Sequence, residues 1–573
     1  MSKCIFCGRE TNGERICEYC REVICEICGK KLARGYCAVC GRLVCDDDSM
    51  FVGFARVCND CISKDRNLSS YEYLKAFCLK ESSRRENVVF DKIAEFGDIK
   101  EKNDNVFLFV GLDDFDSPYG MCTTYAGTLL VEELLKMHNV EFMDYPLLVR
   151  LDPNIPMKTR GNASIGLRMR IAANNVDNVK RFILEKLGKM SHFFFRKTQP
   201  AVVFYVAEQF VVDRYIYSVY SKALRTIVTR NESIRIVKNI RFGHLEIFTP
   251  SKIMSRGIVG ALSAVGAVFE DYTFEILVYR RKDRISENRI IDAQSVFEMD
   301  RKLSPFVFDN VDANRIIIAP AGLDPVLMGI RGEFPEKLLE AFSIVRHEKH
   351  KSWCLFRTNQ ATGMHIRRIK KPSQARPYET VMLDMIVDRI EYEEDTTIII
   401  GNADGWKIRV RIYRIQKGIR EVISKLKKHD KIRIIMAVTD YNEGKLEGNF
   451  EEFFPLELSP IEIIRNPPCP ICCARLKKKG KEEMYCKKCK YRIKKVFKVS
   501  LVLDRTFPKT KKRYIPMPRS HRHLTMPNMR IRIRAKKISG FFRPYMINIF
   551  CGKEKPDLGS IKIISYISDP KII

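Results

Sequence analysis

Three aspartates, Asp113, Asp114 and Asp116, stand within one short string, GLDDFDSPYGMCTTY. Carboxylates held so close repel one another unless a cation lies between them, and magnesium, with its preference for oxygen, is the natural choice. Just beyond, Gly120 permits close backbone approach and Thr123 or Thr124 opens a helix. The free N–H groups and positive end of that helix suit the phosphates of ATP. A solvated acidic turn with an N-capping threonine gives the same pattern, so spacing alone leaves both readings open.

A second chemistry is written in the cysteines. Fourteen of the twenty form seven Cys-x-x-Cys pairs: Cys4/Cys7, Cys17/Cys20, Cys25/Cys28, Cys37/Cys40, Cys58/Cys61, Cys469/Cys472 and Cys486/Cys489. Two thiolates on one tight knuckle reach a single tetrahedral zinc, whereas cysteines so close in sequence make poor structural disulfides. The reading is zinc in a reducing cytoplasm, with the intracellular disulfides of hyperthermophile proteins as the exception. Cys4, Cys7, Cys17 and Cys20 close one site. Cys25/Cys28, Cys37/Cys40, Cys45 with Asp48, and Cys58/Cys61 offer eight ligands in four pairs, which suits a cross-braced two-zinc arrangement. Cys469, Cys472, Cys486 and Cys489 form a zinc ribbon set among lysines, where Cys473 is an alternative to Cys472.

These groups need a frame. Asn105–Val110 (NVFLFV) reads as a buried strand leading into the acidic loop, and AGTLLVEELLKMH, with Leu129, Leu130, Leu134 and Met137 at helical spacing, as the helix after it. Ala201–Ala207 and Phe274–Tyr279 read as further strands. Between 378 and 440, two β-rich stretches, a short amphipathic helix around Ile419–Lys428 and the strand KIRIIMAV suit a five-stranded OB barrel. The expected organisation is multidomain α+β: a zinc-binding module at 1–63, a short helix and linker at 64–104, an α/β catalytic region at 105–345, the barrel at 378–440, the ribbon at 465–495 and a basic extension at 496–573. That extension carries KTKKRY, RSHRH and MRIRIRAKK and reads as RNA-facing surface or a solvated tail.

Lys and Arg total 101 against 70 Asp and Glu, a formal charge of +31 in 573 residues. Such an excess seeks a polyanion, and nucleic acid is the commonest. Apolar residues at 45% argue against global disorder. No stretch approaches the roughly 18 apolar residues of a membrane span, and MSKCIFCGRE is no signal peptide.

The acidic string is followed in order by LVRLDPNIPMKTRGNASIGL, EDYTFEILVYR, DPVLMGIRGE and FRTNQATGMH. Together these closely resemble the archaeal agmatidine synthetases, also called tRNA-isoleucine 2-agmatinylcytidine synthetases, over about Val106 to Arg492. The resemblance implies a kinase-like catalytic domain, a ferredoxin-like domain, an OB fold and a zinc ribbon, in that order. It also implies an activity: ATP-dependent replacement of the C2 oxygen of a tRNA wobble cytidine by agmatine, so that the anticodon CAU reads AUA. Phosphorylation of C2–O makes that oxygen a leaving group, and phosphoryl transfer needs chiefly positioning and charge neutralisation. The resemblance gives catalytic roles to Asp113, Asp114 and Asp116 and places the family's autophosphorylated threonine on Thr123. Gly120, Thr124, Lys158 and Arg160 are the expected phosphate binders. Agmatine carries two positive ends, and Glu270, Asp271, Tyr272, Asp324 and Glu333 are the expected lining. The implied partners are isoleucine tRNA and agmatine, with ATP, magnesium and zinc as cofactors and a protein partner as a further option for the first module.

This chain departs from the family at Phe115, where threonine is usual, and at Ala321-Gly322-Leu323, where a His-Gly-Pro-like turn is expected. Neither the cysteine-rich start nor the long basic tail belongs to the core family layout. A competing reading is therefore a non-catalytic RNA-binding scaffold whose kinase-like domain has decayed through Phe115. A third, a DNA-binding zinc protein, lacks any helix-turn-helix signature. His365 reads as structural or RNA-contacting, and Trp353 and Trp406 as aromatics for stacking an unpaired base or filling a core.

Overall fold

The computed structural model describes residues 2–573 apart from 54, 83–86, 99–103, 159, 160, 321, 414, 415, 504–506, 508–512 and 539–543. Its centre is one twelve-stranded sheet. In chain order its main strands are β1 (Phe90–Phe96), β2 (Asn105–Asp113), β3 (Leu147–Arg150), β4 (Ala163–Ala172), β5 (Ala201–Ala207), β6 (His244–Pro250), β7 (Thr273–Arg280), β8 (Val307–Phe308), β9 (Val326–Gly332) and β10 (His350–Thr358). They lie in the order β8-β9-β7-β10-β3-β4-β2-β5-β6-β1. Every pairing along this path is antiparallel except β3 with β10, a parallel seam of Leu147 on Arg357 and Leu148 on Thr358. The seam joins a half built around β2 to a half built around β7.

The strands expected at NVFLFV, Ala201–Ala207 and Phe274–Tyr279 are β2, β5 and β7. All seven residues of β5 and all eight of β7 are buried in the middle of the sheet, where α2 covers β5 and the helix Pro335–Ile344 packs on β7. Helix α1 (Thr123–Leu134) follows the acidic loop, and α2 (Gly257–Gly266) packs on β2, β4 and β5. Close packing of α2 explains Gly111 on β2, where a Cβ would meet the Ala261 carbonyl oxygen at 1.9 Å.

The barrel has five strands: β11 (Thr380–Tyr392), β12 (Thr396–Ala403), β13 (Trp406–Tyr413), β14 (Lys431–Asn442) and β15 (Lys445–Glu457). β11 pairs with both β12 and β14, and β13 runs parallel to β15, which closes the barrel. Helix α3 (Lys417–Ile423) lies between the third and fourth strands, as expected. The fifth strand runs past the expected limit of residue 440. Its EGNFEEFFPLE reads as acidic surface, yet Leu446, Phe450 and Phe453 point into the barrel core.

Two expectations are corrected. The segment expected as a helix and linker holds helix Tyr71–Ser82 and also β1, the sheet's edge strand. The basic tail is no solvated extension: Leu524, Met546, Ile547, Phe550 and Ile567 belong to the main core. A short strand, β16 (Cys551–Gly552), pairs with β10, and Asp569 completes a buried network with Asp144, Arg168 and Arg357. Lysine and arginine density hid this, because the apolar residues that enter the core are spread thinly among charges. Among the described residues, no helix is long and apolar enough to cross a membrane.

Candidate functional site

The acidic loop is a turn between the end of β2 and the start of α1, and its three carboxylates take three different partners. Asp113 is half-buried and aimed at the first turn of α2, where a Cβ on Gly260 would stand 1.9 Å from its Oδ2. Burial, and then the neighbouring charges of Asp114 and Asp116, hold its carboxyl well above the usual carboxylate range. Asp114, at a left-handed φ of 59°, accepts from Lys197 Nζ at 2.8 Å and from the Gln199 backbone N–H at 3.3 Å. Asp116 Oδ2 accepts the Thr123 hydroxyl at 2.6 Å, while Thr123 Oγ1 itself accepts the Phe115 N–H at 3.2 Å. The N-cap of α1 is Cys122, not a threonine, so Thr123 is oriented by Asp116 and does no capping.

Asp116 sits on the wall between two cavities. The first is lined by Asp113, Asp114, Asp116, Lys158, Lys197, Arg230 and Arg256, with Leu151, Ile155, Met157 and Val228 as apolar walls. The second, about 290 Å³, holds Asp116, Thr123, Thr124, Arg150, Glu275, Asp309, Asp324, Arg331 and His523. In it, Glu275 pairs with Arg150 and Arg331, and the buried Nε of Arg150 has no hydrogen-bond partner among the described residues. His523, brought in by the tail, is half-buried on the cavity wall; desolvation and then the charge of Arg150 hold its imidazole well below the usual range.

Of the expected phosphate binders, Lys158 lies on the first cavity and donates to the Pro153 carbonyl oxygen. Burial, then Arg522, pushes its ammonium down to about 8. Thr124 lines the second cavity. Gly120, at φ 92°, supplies a backbone only glycine tolerates, and it borders a separate pocket beside Tyr119 and Lys282 rather than either cavity. Arg160 lies outside the described residues, as does Ala321. Phe115, the departure that suggested decay, points away from both cavities into the core and packs on Phe90 of β1 at 6.1 Å between ring centroids.

Most of the expected agmatine lining is already taken. Arg530 donates to Asp271 at 3.0 Å and also binds Glu333, and Lys537 Nζ reaches Glu333 at 2.7 Å and sits 4.3 Å from the Tyr272 ring centroid. Glu270 is exposed and lines neither cavity. Asp324 alone of that set faces the second cavity, joined there by Asp309, which sequence reasoning missed. Trp353 is buried with Nε1 donating to the Glu554 carbonyl oxygen, which leaves it no face for a base, and Trp406 is half-buried and packs on Tyr441. His365 is structural, buried with Nε2 3.0 Å from Glu451.

The missed cavity residues left one usable signal. SRGIVGALSAVG starts a helix with two glycines at one-turn spacing, the mark of a close approach. Lys197, Arg230, Arg256 and His523 left none, because only the fold brings them near the acidic loop.

The cysteines converge as four tetrads: Cys4, Cys7, Cys17, Cys20; Cys25, Cys28, Cys45, Asp48; Cys37, Cys40, Cys58, Cys61; and Cys469, Cys472, Cys486, Cys489. The second and third interleave along the chain, as a cross-brace requires, with Asp48 in the eighth ligand position. Sulfur separations of 3.6 Å (Cys7–Cys17), 3.8 Å (Cys40–Cys58) and 3.4 Å (Cys472–Cys486) match the edge of a zinc–thiolate tetrahedron. Cys473 is exposed and outside the ribbon's tetrad. The N-terminal module docks by opposite charges on two sides. Glu18 and Glu22 pair with Arg235 and Arg230 of the catalytic region at 2.9 and 3.0 Å, whereas Arg34 and Lys3 pair with Asp440 and Glu443 of the barrel. Glu22 also reaches the first cavity, so the module forms part of its wall.

Known proteins resemble this chain over most of its length. Family models described as the TiaS TCKD domain and the TiaS FLD domain match residues 109–249 and 255–365. The isoleucine-tRNA 2-agmatinylcytidine synthetase TiaS of Pyrococcus horikoshii is 36% identical over 426 residues, covering 74% of this chain and 97% of the relative. A crystal structure of apo TiaS, described as an isoleucine-tRNA agmatidine synthetase, superposes with a TM-score of 0.64 at 28% identity over 74% of this chain and 98% of that one. A complex of TiaS with its isoleucine tRNA, AMPCPP and agmatine does so with a TM-score of 0.60 at 26% identity over the same shares. Identity at that level across nearly the whole of the Pyrococcus relative means that the chain belongs to the isoleucine-tRNA 2-agmatinylcytidine synthetase family.

Proposed function

We propose that this chain uses ATP to join agmatine to C2 of the wobble cytidine in an isoleucine tRNA with a CAU anticodon. The carrying observation is the Thr123–Asp116 hydrogen bond on the wall between two cavities. The likeness to a TiaS complex with isoleucine tRNA, an ATP analogue and agmatine supports the same reading. The non-catalytic alternative rested on Phe115, whose side chain lines neither cavity.

In this reading the first cavity takes phosphates through Lys158, Lys197 and Arg256, with Arg160 as a further clamp. Magnesium suits one or two carboxylates plus phosphate oxygens. Asp113 and Asp116 fit that requirement, while Asp114 is neutralised by Lys197. When bound, the ion would neutralise charge developing on the transferred phosphoryl group. Asp116 accepts the proton of the Thr123 hydroxyl as that oxygen takes the phosphoryl group, and activation of cytidine C2–O follows. The second cavity takes agmatine, with Asp324 and Asp309 facing its two cationic ends and Glu275 held by arginines. Asp324 and Asp309 both line this cavity, Asp309 also meeting His521 Nδ1 at 3.0 Å, whereas Arg530 and Lys537 balance the Asp271–Glu333 pair outside it.

At the level of domains, we read the half around β2 as kinase-like and the half around β7 as ferredoxin-like. The barrel, ribbon and basic surface grip the anticodon arm while the target base flips towards the acidic loop. The test is incubation with ATP, agmatine and unmodified tRNA, followed by nucleoside mass analysis. An agmatine adduct at the wobble cytidine, lost in Asp116→Asn and Asp114→Ala, is the expected result. Tight tRNA binding with neither adduct nor AMP would return the scaffold reading.

A further inference from the structure

Among the cysteines outside the zinc tetrads, Cys354 and Cys551 stand in direct register. Cys354 lies in β10 and Cys551 in β16, and the antiparallel ladder sets them opposite each other, with Trp353 opposite Gly552. The Leu355 N–H donates to the Phe550 carbonyl oxygen at 2.8 Å, so 355 and 550 form a hydrogen-bonded pair. Cys354 and Cys551 are therefore a non-hydrogen-bonded pair, with Cα atoms about 4.5 Å apart and side chains at closest approach on one face. That spacing lies within the range of about 4.4–6.8 Å that a disulfide requires. Cys354 is fully buried and Cys551 partly exposed. The two thiols also sense each other, since contact with Cys354, more than burial, holds the Cys551 thiol well above its ordinary range.

The place of the pair in the fold gives it a consequence. Cys551 Sγ lies 4.0 Å from the Thr128 carbonyl oxygen in the middle of α1, and α1 packs on both β10 and β16. The same helix begins with Thr123 and Thr124. A bond between β10 and β16 would fix the floor beneath that helix and pin the tail that delivers His523 and Arg530.

We propose that Cys354 and Cys551 are a cross-strand disulfide site that locks the C-terminal segment onto the central sheet. The reaction is thiol–disulfide exchange with a small-molecule or protein disulfide. Cys551, the more exposed of the two cysteines, loses its proton and attacks one sulfur of the donor, releasing one thiolate. Cys354 then loses its proton and attacks Cys551 sulfur in the mixed disulfide, releasing the second thiolate. Two protons and two electrons pass to the donor, which leaves as two thiols. Burial of Cys354 shields the finished bond from reductants, so the lock, once made during folding, persists.

The zinc-loaded full chain is treated with oxidised glutathione, denatured, alkylated and mapped by mass spectrometry. The expected result is a loss of about 2 Da, a Cys354–Cys551 linked peptide and unchanged zinc content. The oxidised protein should show a thermal midpoint that falls on reduction, and Cys551→Ser should lose both the mass change and that reductant dependence. Alkylation of both cysteines, glutathione retained on Cys551, or a cross-link made by a zinc ligand with release of zinc would each overturn the proposal. The readout needs no tRNA or ATP, so it stands or falls separately from the enzymatic reading.

Discussion

Replacing Gly260 by alanine adds one methyl group and separates fold from function. Gly260 lies in the first turns of α2, and its Cβ would stand 1.9 Å from Asp113 Oδ2 and 2.4 Å from Asp113 Cγ. Ordinary carbon–oxygen contact is near 3.4 Å, so the Asp113 carboxylate must retreat by about 1.5 Å. Helix propensity runs the other way, since alanine in a helix interior is favoured over glycine by roughly 1 kcal/mol. Gly260→Ala therefore keeps the fold, while a displacement beyond 1 Å at a phosphate-handling carboxylate lowers turnover about 100-fold. Adduct formation under saturating ATP, agmatine and tRNA measures the loss, and a thermal scan measures the fold. Gly418→Ala is the control, because its Cβ would meet nothing closer than Met517 Sδ at 3.8 Å. Turnover of Gly260→Ala within threefold of the native enzyme, with the fold intact, would refute the assignment of Asp113 to the reaction.

Lys158 is pushed down to about 8 by burial, so its charge is present below that pH and lost above it. ATP affinity should fall as pH rises through about 8, and Lys158→Arg, which stays cationic, should flatten that profile in a binding titration. Arg530 is wholly buried between Asp271 and Glu333, so Arg530→Met should destabilise the protein by about 3–5 kcal/mol, measured by denaturant unfolding and partly restored by adding Glu333→Gln. Asp48→Ala should lower the zinc content from four ions per chain to three by elemental analysis, whereas Asp48→Cys should keep four and resist chelators longer.

What was legible in the sequence was local. Cys-x-x-Cys spacing gives a knuckle without any knowledge of the fold, and Asp48 stood out because it completes a pattern of pairs. The acidic loop was legible because strand, turn and helix are consecutive. The cavities around it were not, since Asp113 meets Gly260 and Asp114 meets Lys197 only through the sheet. Asp271 and Glu333 illustrate the limit. Carboxylates in a loop look available to a cationic ligand until the chain returns, much later, with Arg530 and Lys537. Phe115 shows the converse: a substitution inside a motif looked damaging, yet its side chain leaves the motif's working face and packs on Phe90.

The Asp569 network bears on how the protein is made. Asp144 alone faces two buried arginines, Arg168 and Arg357, and the second carboxylate that balances them lies near the far end of the chain. Until residue 569 has left the ribosome, the central sheet holds an unbalanced buried charge and an uncovered apolar floor. A chain cut short of Asp569 should therefore be cleaved faster by protease than the full chain, because Arg168 and Arg357 keep only Asp144 as partner.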